Sequence, residues 1–424
     1  MERGKGGCVV KGKAWLGVLL MLLLAGCAAR STAREERADP LPWPEGSQTL
    51  YVSADLHWQD SSDLRPSQIP WLEEILRTLL DQVERDRPEA LVLCGDLTNS
   101  GRLEEHQTLA ALLEETRAAG VNIFVTMGNH DLDRDLPPET LEELYGAFGW
   151  DQAIRRDEGT MSYLVPLTDE LWLLSLDCNV YGDRDSTMAG VIEEETLAWV
   201  EECLELAKEK GAMVVPFSHH NLLIHNLNGD GRSYNIEGGE ELRDLLLSFG
   251  VPLYLSGHRH NSFLAEAETE AGKLTEVVTG LPSSFPQTHG SLTFQGDGTV
   301  NYALKSLDVS AWAKSEGRTE PQLLAFSAWT EEENRKRLAE IAARVVEGME
   351  VPRDQGEEME GFFLDFYTCY QGHGLWREAS RLLADPGLSL WKAHAKENIY
   401  ARWMPWILEN QTNDAPEQIL GPFR

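Results

Sequence analysis

Five polar blocks hold the side chains that could do chemistry: Asp55-x-His57, Gly95-Asp96, Gly128-Asn129-His130-Asp131, His219-His220 and Gly257-His258-Arg259-His260. Carboxylate, amide and imidazole donors in this mixture suit Mn, Fe or Zn, and the lack of thiolates among them argues against a structural zinc site. Seven such donors suffice for two cations if one carboxylate bridges. Two cations ~3.5–4 Å apart can hold the oxygens of an anionic phosphoester and lower the pKa of a bound water to near neutrality, so that hydroxide reaches phosphorus in line. Each block alone has a plainer reading. Asp-x-His behind a strand is usually a capping or surface pair, and Gly-Asn-His-Asp is a common turn. A His-His pair in a loop is often solvent-exposed, and Gly-His-x-His fits an edge strand. Together, each behind an apolar run, the five favour a single site.

The elements that must position these blocks alternate β-rich runs with helical stretches from residue 48 to about residue 305, the pattern of an α/β domain with a central sheet. Strands are expected at Thr49–Ala54, Ala90–Cys94, Ile123–Thr126, Leu171–Leu176, Met213–Phe217, Leu253–Leu255 and Glu276–Thr279. Helical spacing of apolar residues marks Ile69–Arg85, His106–Ala119 and Glu194–Lys210, the last two closed by Gly120 and Gly211. Asp55, Asp96, Asn129, His219 and His258 each follow an apolar strand run. In sheets with parallel strands ligands gather at the carboxyl ends, so these residues can share one crevice.

In order and spacing the five blocks resemble the calcineurin-like metallophosphoesterase superfamily over about Thr49 to Leu304. The resemblance implies a four-layer αββα sandwich. It also implies that Asp55, His57 and His260 hold one metal, that Asn129, His219 and His258 hold the other, and that Asp96 bridges them. His130 would protonate the leaving oxygen. The second block, Gly95-Asp96-Leu97-Thr98-Asn99-Ser100-Gly101, departs from the protein Ser/Thr phosphatase form GDxVDRG. Asn99 stands where an Asp would orient the catalytic imidazole, and Ser100 where an Arg would bind phosphate. The GDLT form is similar to bacterial class III cyclic-nucleotide phosphodiesterases, and His219-His220-Asn221-Leu222 and Leu255-Ser256-Gly257-His258 resemble lipoprotein members of that branch. A small phosphodiester such as a cyclic nucleotide is the implied substrate, with a phosphomonoesterase and a non-catalytic binding lipoprotein as the competing functions. His219 is then the ligand of its pair, while His220 packs or hydrogen-bonds at the pocket wall and Asn221 lies beside it. Asp131 either caps the next helix or braces a ligand loop. Arg259, between two ligands, points away from them if its segment is extended, and is also a candidate for substrate contact.

Outside this region the chain reads differently. Arg3, Lys5, Lys11 and Lys13 precede the apolar run Trp15–Leu24, a secretory signal pattern over residues 1–26. Leu24-Ala25-Gly26-Cys27 resembles the bacterial lipoprotein box, which would place lipid on Cys27 and the protein on the extracytoplasmic face of a membrane. Residues 27–47 read as a flexible tether, 48–307 as the catalytic domain and 308–424 as a tryptophan-rich helical domain that walls the cleft. A net charge of −33 disfavours a nucleic-acid polymer as partner. Cys94, Cys178, Cys203 and Cys369 form no CxxC pair and indicate no disulfide framework.

Overall fold

Apolar runs bounded by turn residues form strands, and the amphipathic stretches between them form helices. In a computed structural model that describes residues 40–59, 70–133, 136–181, 190–223 and 235–423, the chain begins with β1 (Gln48–Ser53), α1 (Leu72–Asp86), β2 (Ala90–Cys94), α2 (Leu103–Ala118), β3 (Ile123–Thr126) and α3 (Pro138–Tyr145). It continues through β4 (Arg155–Arg156), β5 (Tyr163–Pro166), β6 (Leu171–Leu176), β7 (Gly190–Val191), α4 (Glu194–Lys210) and β8 (Met213–Ser218). Then come β9 (Ile236–Glu237), α5 (Gly239–Ser248), β10 (Leu253–Ser256), β11 (Phe263–Thr269), β12 (Gly272–Val278), β13 (Thr288–Phe294) and β14 (Val300–Ser306).

Helix α1 shows how sequence becomes packing. Ile75, Leu76, Leu79, Leu80 and Val83 recur at helical spacing and are all buried, and Arg87 ends the helix in the left-handed region with its N–H on the Val83 carbonyl. Gly211 closes α4 in the same conformation, donating to the Ala207 carbonyl.

The strands form two sheets. One has the order β15-β14-β13-β1-β2-β3, where β15 is Glu417–Leu420, and the other β11-β12-β10-β8-β6-β5-β4. In the first, β1, β2 and β3 run parallel; in the second, β6, β8, β10 and β12 do. Alternation along β6 shows the layering: Leu171 and Leu173 join the core shared with β1, β2 and β3, whereas Trp172 and Leu174 join the core formed with α4 and α5. Helices α1 and α2 cover the far face of the first sheet. The result is the αββα sandwich, with ligand-bearing strand ends of both sheets at one edge.

Beyond β14 come α6 (Val309–Ser315), α7 (Pro321–Leu324), α8 (Phe326–Glu347), α9 (Arg353–Gln371), α10 (Leu375–Leu383), α11 (Pro386–Ala393) and α12 (Ile399–Asn410). Helices α8 to α12 enclose a core of their own around Leu338, Phe363, Phe366, Trp391 and Met404. The C-terminal region is helical as expected, and it ends in β15, which pairs antiparallel with β14, from Val300↔Leu420 to Ala303↔Glu417, and covers an otherwise open sheet edge. One expectation needs correction. The end of the segment read as a tether is fixed to the body: Leu41 donates its N–H to the Phe249 carbonyl, and the Trp43 indole donates to the Gln295 carbonyl while packing on Phe294 and Phe423. Residues 1–39, with the leader and Cys27, lie outside the described residues.

Candidate dinuclear metal centre

Each candidate ligand sits just beyond a strand, in a loop whose backbone is bent to aim it. Asp55 and His57 follow β1, Asp96 follows β2, Asn129 to Asp131 form a single 3-10 turn after β3, His219 follows β8, and His258 and His260 follow β10. The first two loops are laced together by Asp55 N–H on the Gly95 carbonyl (2.9 Å) and His57 N–H on the Asp96 carbonyl (3.0 Å). Asp55, His57, Asp96, His258 and His260 all have left-handed φ values between 44° and 69°. That conformation is uncommon for residues with a Cβ and is tolerated where surrounding contacts over-determine it, as at functional sites. Close approach also demands glycine: a Cβ on Gly128 would lie 2.3 Å from both the N and the Oδ1 of Asp96.

The side chains converge in two groups that share one carboxylate. Asp55, His57, Asp96 and His260 offer donor atoms within 4.8 Å of one another, and so do Asp96, His219 and His258. In the first group His57 Nε2 lies 3.0 Å from His260 Nε2 and 3.7 Å from Asp96 Oδ2, and His260 Nε2 lies 3.4 Å from Asp55 Oδ1. In the second, His219 Nε2 lies 3.3 Å from Asp96 Oδ2, 2.9 Å from His258 Nδ1 and 3.2 Å from Asn129 Oδ1. Asp96 is placed to bridge because its two oxygens are divided: Oδ1 accepts the His130 N–H at 2.8 Å, while Oδ2 faces the histidines of both groups.

These donors fit a pair of cations. His219 Nδ1 lies 3.0 Å from the Cys94 carbonyl, which can only accept, so a proton is held on Nδ1. Nε2 is the atom aimed at the oxygens of Asp96 and Asn129, where a proton or a cation can sit. Burial pulls the His219 pKa down, but the carboxylates of Asp96 and Asp55 outweigh it and lift it to about 9, so the cluster draws positive charge. Burial, with His260 and His130 nearby, lowers His57 to about 4 against the pull of Asp96, leaving the neutral imidazole that ligation requires. Burial raises the Asp96 carboxyl, but His219 overrides it and holds the group well below the usual range.

The calcineurin-like phosphoesterase family model matches residues 49–262. The chain belongs to this family. A glycerophosphodiester phosphodiesterase of Enterobacter lignolyticus is 31% identical over 181 residues, which are 42% of this chain and 58% of that protein. A cAMP/cGMP dual specificity phosphodiesterase of Mycobacterium tuberculosis is 26% identical over 193 residues, 45% of this chain and 55% of that one. The calcineurin-like chain thus spans little more than half the length of these relatives. A crystal structure of a dimetal phosphatase from Danio rerio is similar with a TM-score of 0.48 at 16% identity, covering 63% of this chain and 97% of that chain.

Around the two donor groups of this calcineurin-like phosphoesterase, the remaining polar residues take definite places. His130 Nδ1 bonds the Asn99 carbonyl at 2.7 Å, which leaves Nε2 for a substrate. The contact that orients this imidazole therefore comes from the main chain; the Asn99 side-chain amide donates to Ser100 Oγ instead. Asp131 braces rather than caps the next helix: its carboxylate accepts the N–H groups of Leu97, Thr98 and Gly128, tying the loop after β2 to the loop after β3. Asn221 Nδ2 donates to Ser256 Oγ and the Gly257 carbonyl, steadying the loop that carries His258 and His260. His220 is buried against the His258 ring (centroids 4.9 Å apart) and belongs to neither donor group.

Two buried residues escaped the sequence reading. His106 on α2 lies within 3.0 Å of the Asp131 carbonyl and of the Tyr145 hydroxyl, and Glu276 in β12 accepts the N–H groups of Leu222 and Leu223 and the Ser256 hydroxyl. The available signals were a histidine inside a helix and a lone acid inside an apolar strand. Arg259 does not follow the extended-chain expectation, because left-handed residues on both sides turn it toward the site. With Asp96, Asn129, His130, His258, His260, Tyr370 and Trp403 it lines a cavity of about 370 Å³.

Proposed function

We propose that this protein hydrolyses small phosphodiesters, cyclic nucleotides among them, at two transition metals of the Mn, Fe or Zn type. The observation that carries the reading is the pair of donor groups sharing Asp96, with His130 on the same cavity. Asp55, His57 and His260 would hold one cation, Asn129, His219 and His258 the other, and Asp96 both. When bound, the cations supply neutralisation of the phosphoryl charge and a water acidified enough to attack phosphorus near neutral pH. The protein supplies the rest. Asn99 and the Asp96 carboxylate fix the His130 backbone and ring, and His130 Nε2 gives its proton to the leaving oxygen as the P–O bond breaks. The diester preference is supported by the two curated relatives, whose names are both those of phosphodiesterases.

The test is a soluble form beginning at Glu35, loaded with Mn, assayed on bis-p-nitrophenyl phosphate, p-nitrophenyl phosphate and then 3′,5′- and 2′,3′-cyclic nucleotides. A diester preference that extends to cyclic nucleotides is expected. Preference for the monoester would make the protein a phosphate-scavenging enzyme, and no turnover with any metal would leave a binding lipoprotein.

The same reading places the protein on the extracytoplasmic face of a bacterial membrane through lipid on Cys27. Its support is the basic, apolar and small-residue order of residues 1–27. Among the described residues no helix is long and apolar enough to cross a membrane.

A further inference from the structure

The C-terminal helices reach the cavity through Tyr370 and Trp403, and both meet Arg259 there. Among the described residues Arg259 is the single Lys or Arg lining the cavity, and it lies between His258 and His260. Its guanidinium carbon sits 4.6 Å from the centre of the Trp403 ring on α12. The Tyr370 hydroxyl on α9 faces the same group: burial raises its pKa, and the charge and hydrogen bond of Arg259 draw it back. One residue past the second histidine, Asn261 donates to the Tyr370 carbonyl, so the loop is fastened to α9 through its backbone as well.

This arrangement decides between two uses of the tryptophan. One face of Trp403 is occupied by the guanidinium, and Trp406 stacks with it at 27° and 5.8 Å. It is therefore spent on holding a cation rather than presented for stacking against a base. A guanidinium held over an aromatic ring is anchored there by its charge, and its planar N–H fork is the group whose geometry suits two oxygens of one phosphate. In a chain of net charge −33, a fixed cation beside the site has a clear electrostatic use for an anionic ligand.

We propose that Arg259 binds a non-bridging oxygen of the substrate phosphate, and that Trp403 and Tyr370 are positioning residues that make the C-terminal helices part of the substrate site. The proposal rests on the hydrolase reading above and adds to it the recognition element that sits outside the metal ligands.

The experiment titrates inorganic phosphate into the purified Mn-loaded chain by calorimetry, beside steady-state kinetics on bis-p-nitrophenyl phosphate. Arg259→Gln is expected to weaken phosphate binding at least about tenfold with bound Mn per chain unchanged, and to raise KM by a similar factor while kcat moves less. Arg259→Lys, which keeps charge without the fork, should recover part of the affinity and covers the case of a misfolded glutamine variant. Trp403→Leu should shift KM in the same direction, and Trp403→Phe should restore it. Phosphate affinity of Arg259→Gln within twofold of the parent, or no phosphate binding by the parent, overturns the proposal. Failure of the hydrolase reading looks different: the parent turns over no ester, while the phosphate titration still reports on Arg259.

Discussion

At the scale of single residues, the site separates holding charge from moving protons. Asp96 has one oxygen tied to a backbone N–H and the other facing both histidine groups, so its loss affects both proposed metals at once. Asp96→Ala is expected to abolish turnover and to lower bound metal at both positions, measured by elemental analysis after dialysis. His130 belongs to neither donor group: its Nδ1 goes to the Asn99 carbonyl, and its ring meets the His57 ring edge-on with centroids 4.6 Å apart. His130→Ala should therefore keep its metal and lose about 10²–10⁴-fold in kcat, most with poor leaving groups. Hydrolysis of an alkyl-leaving-group diester at the parent rate would remove His130 from the general-acid role.

At the scale of elements, the C-terminal helices are fastened at their ends to the sandwich. Asp414, just before β15, accepts the Leu375 N–H at 3.0 Å and the Trp376 N–H at 2.8 Å, satisfying the first turn of α10. Burial outweighs these bonds and raises its pKa to about 6. A carboxyl whose folded pKa lies above its unfolded value binds its proton more tightly in the fold, so its contribution to stability is fully present at low pH. That contribution is lost as pH rises from about 4 to about 6. Asp414→Asn removes this titration, and its stability relative to the parent should increase with pH across that window. Urea melts at pH 4, 5, 6 and 7 followed by tryptophan fluorescence check this; a difference that stays flat or falls refutes it.

At the scale of the whole molecule, a net charge of −33 surrounds a site that must take an anion. Long-range repulsion is screened by salt, with a Debye length of ~8 Å near physiological ionic strength. Raising KCl from low concentration should increase kcat/KM, and more for the dianionic monoester than for the monoanionic diester. An equal response of the two substrates would show that the field of the chain does not reach the site. The proposed anchor belongs to this scale too. Cys27→Ser should release the protein from membrane fractions with its hydrolytic rate intact, and continued retention would count against lipid on that residue.

The local signals in the chain determined the strands at Ala90–Cys94, Ile123–Thr126 and Leu171–Leu176, the helix at Glu194–Lys210, and the donor block behind each strand, because hydrophobic periodicity and turn chemistry act over a few neighbouring residues. The weakly patterned strand β13, rich in Gly, Thr and Ser, carries no such signal and exists through its pairing with β1 and β14. Only the tertiary structure decided that the Asn99 main chain, not its side chain, holds His130, and that Asp131 ties two loops together. Left-handed backbone at His258 and His260 turned Arg259 toward the cavity against the extended-chain rule, and partners more than a hundred residues away, Tyr370 and Trp403, fixed it there. Such contacts depend on which distant surfaces meet, and a pattern read along the chain does not contain that information.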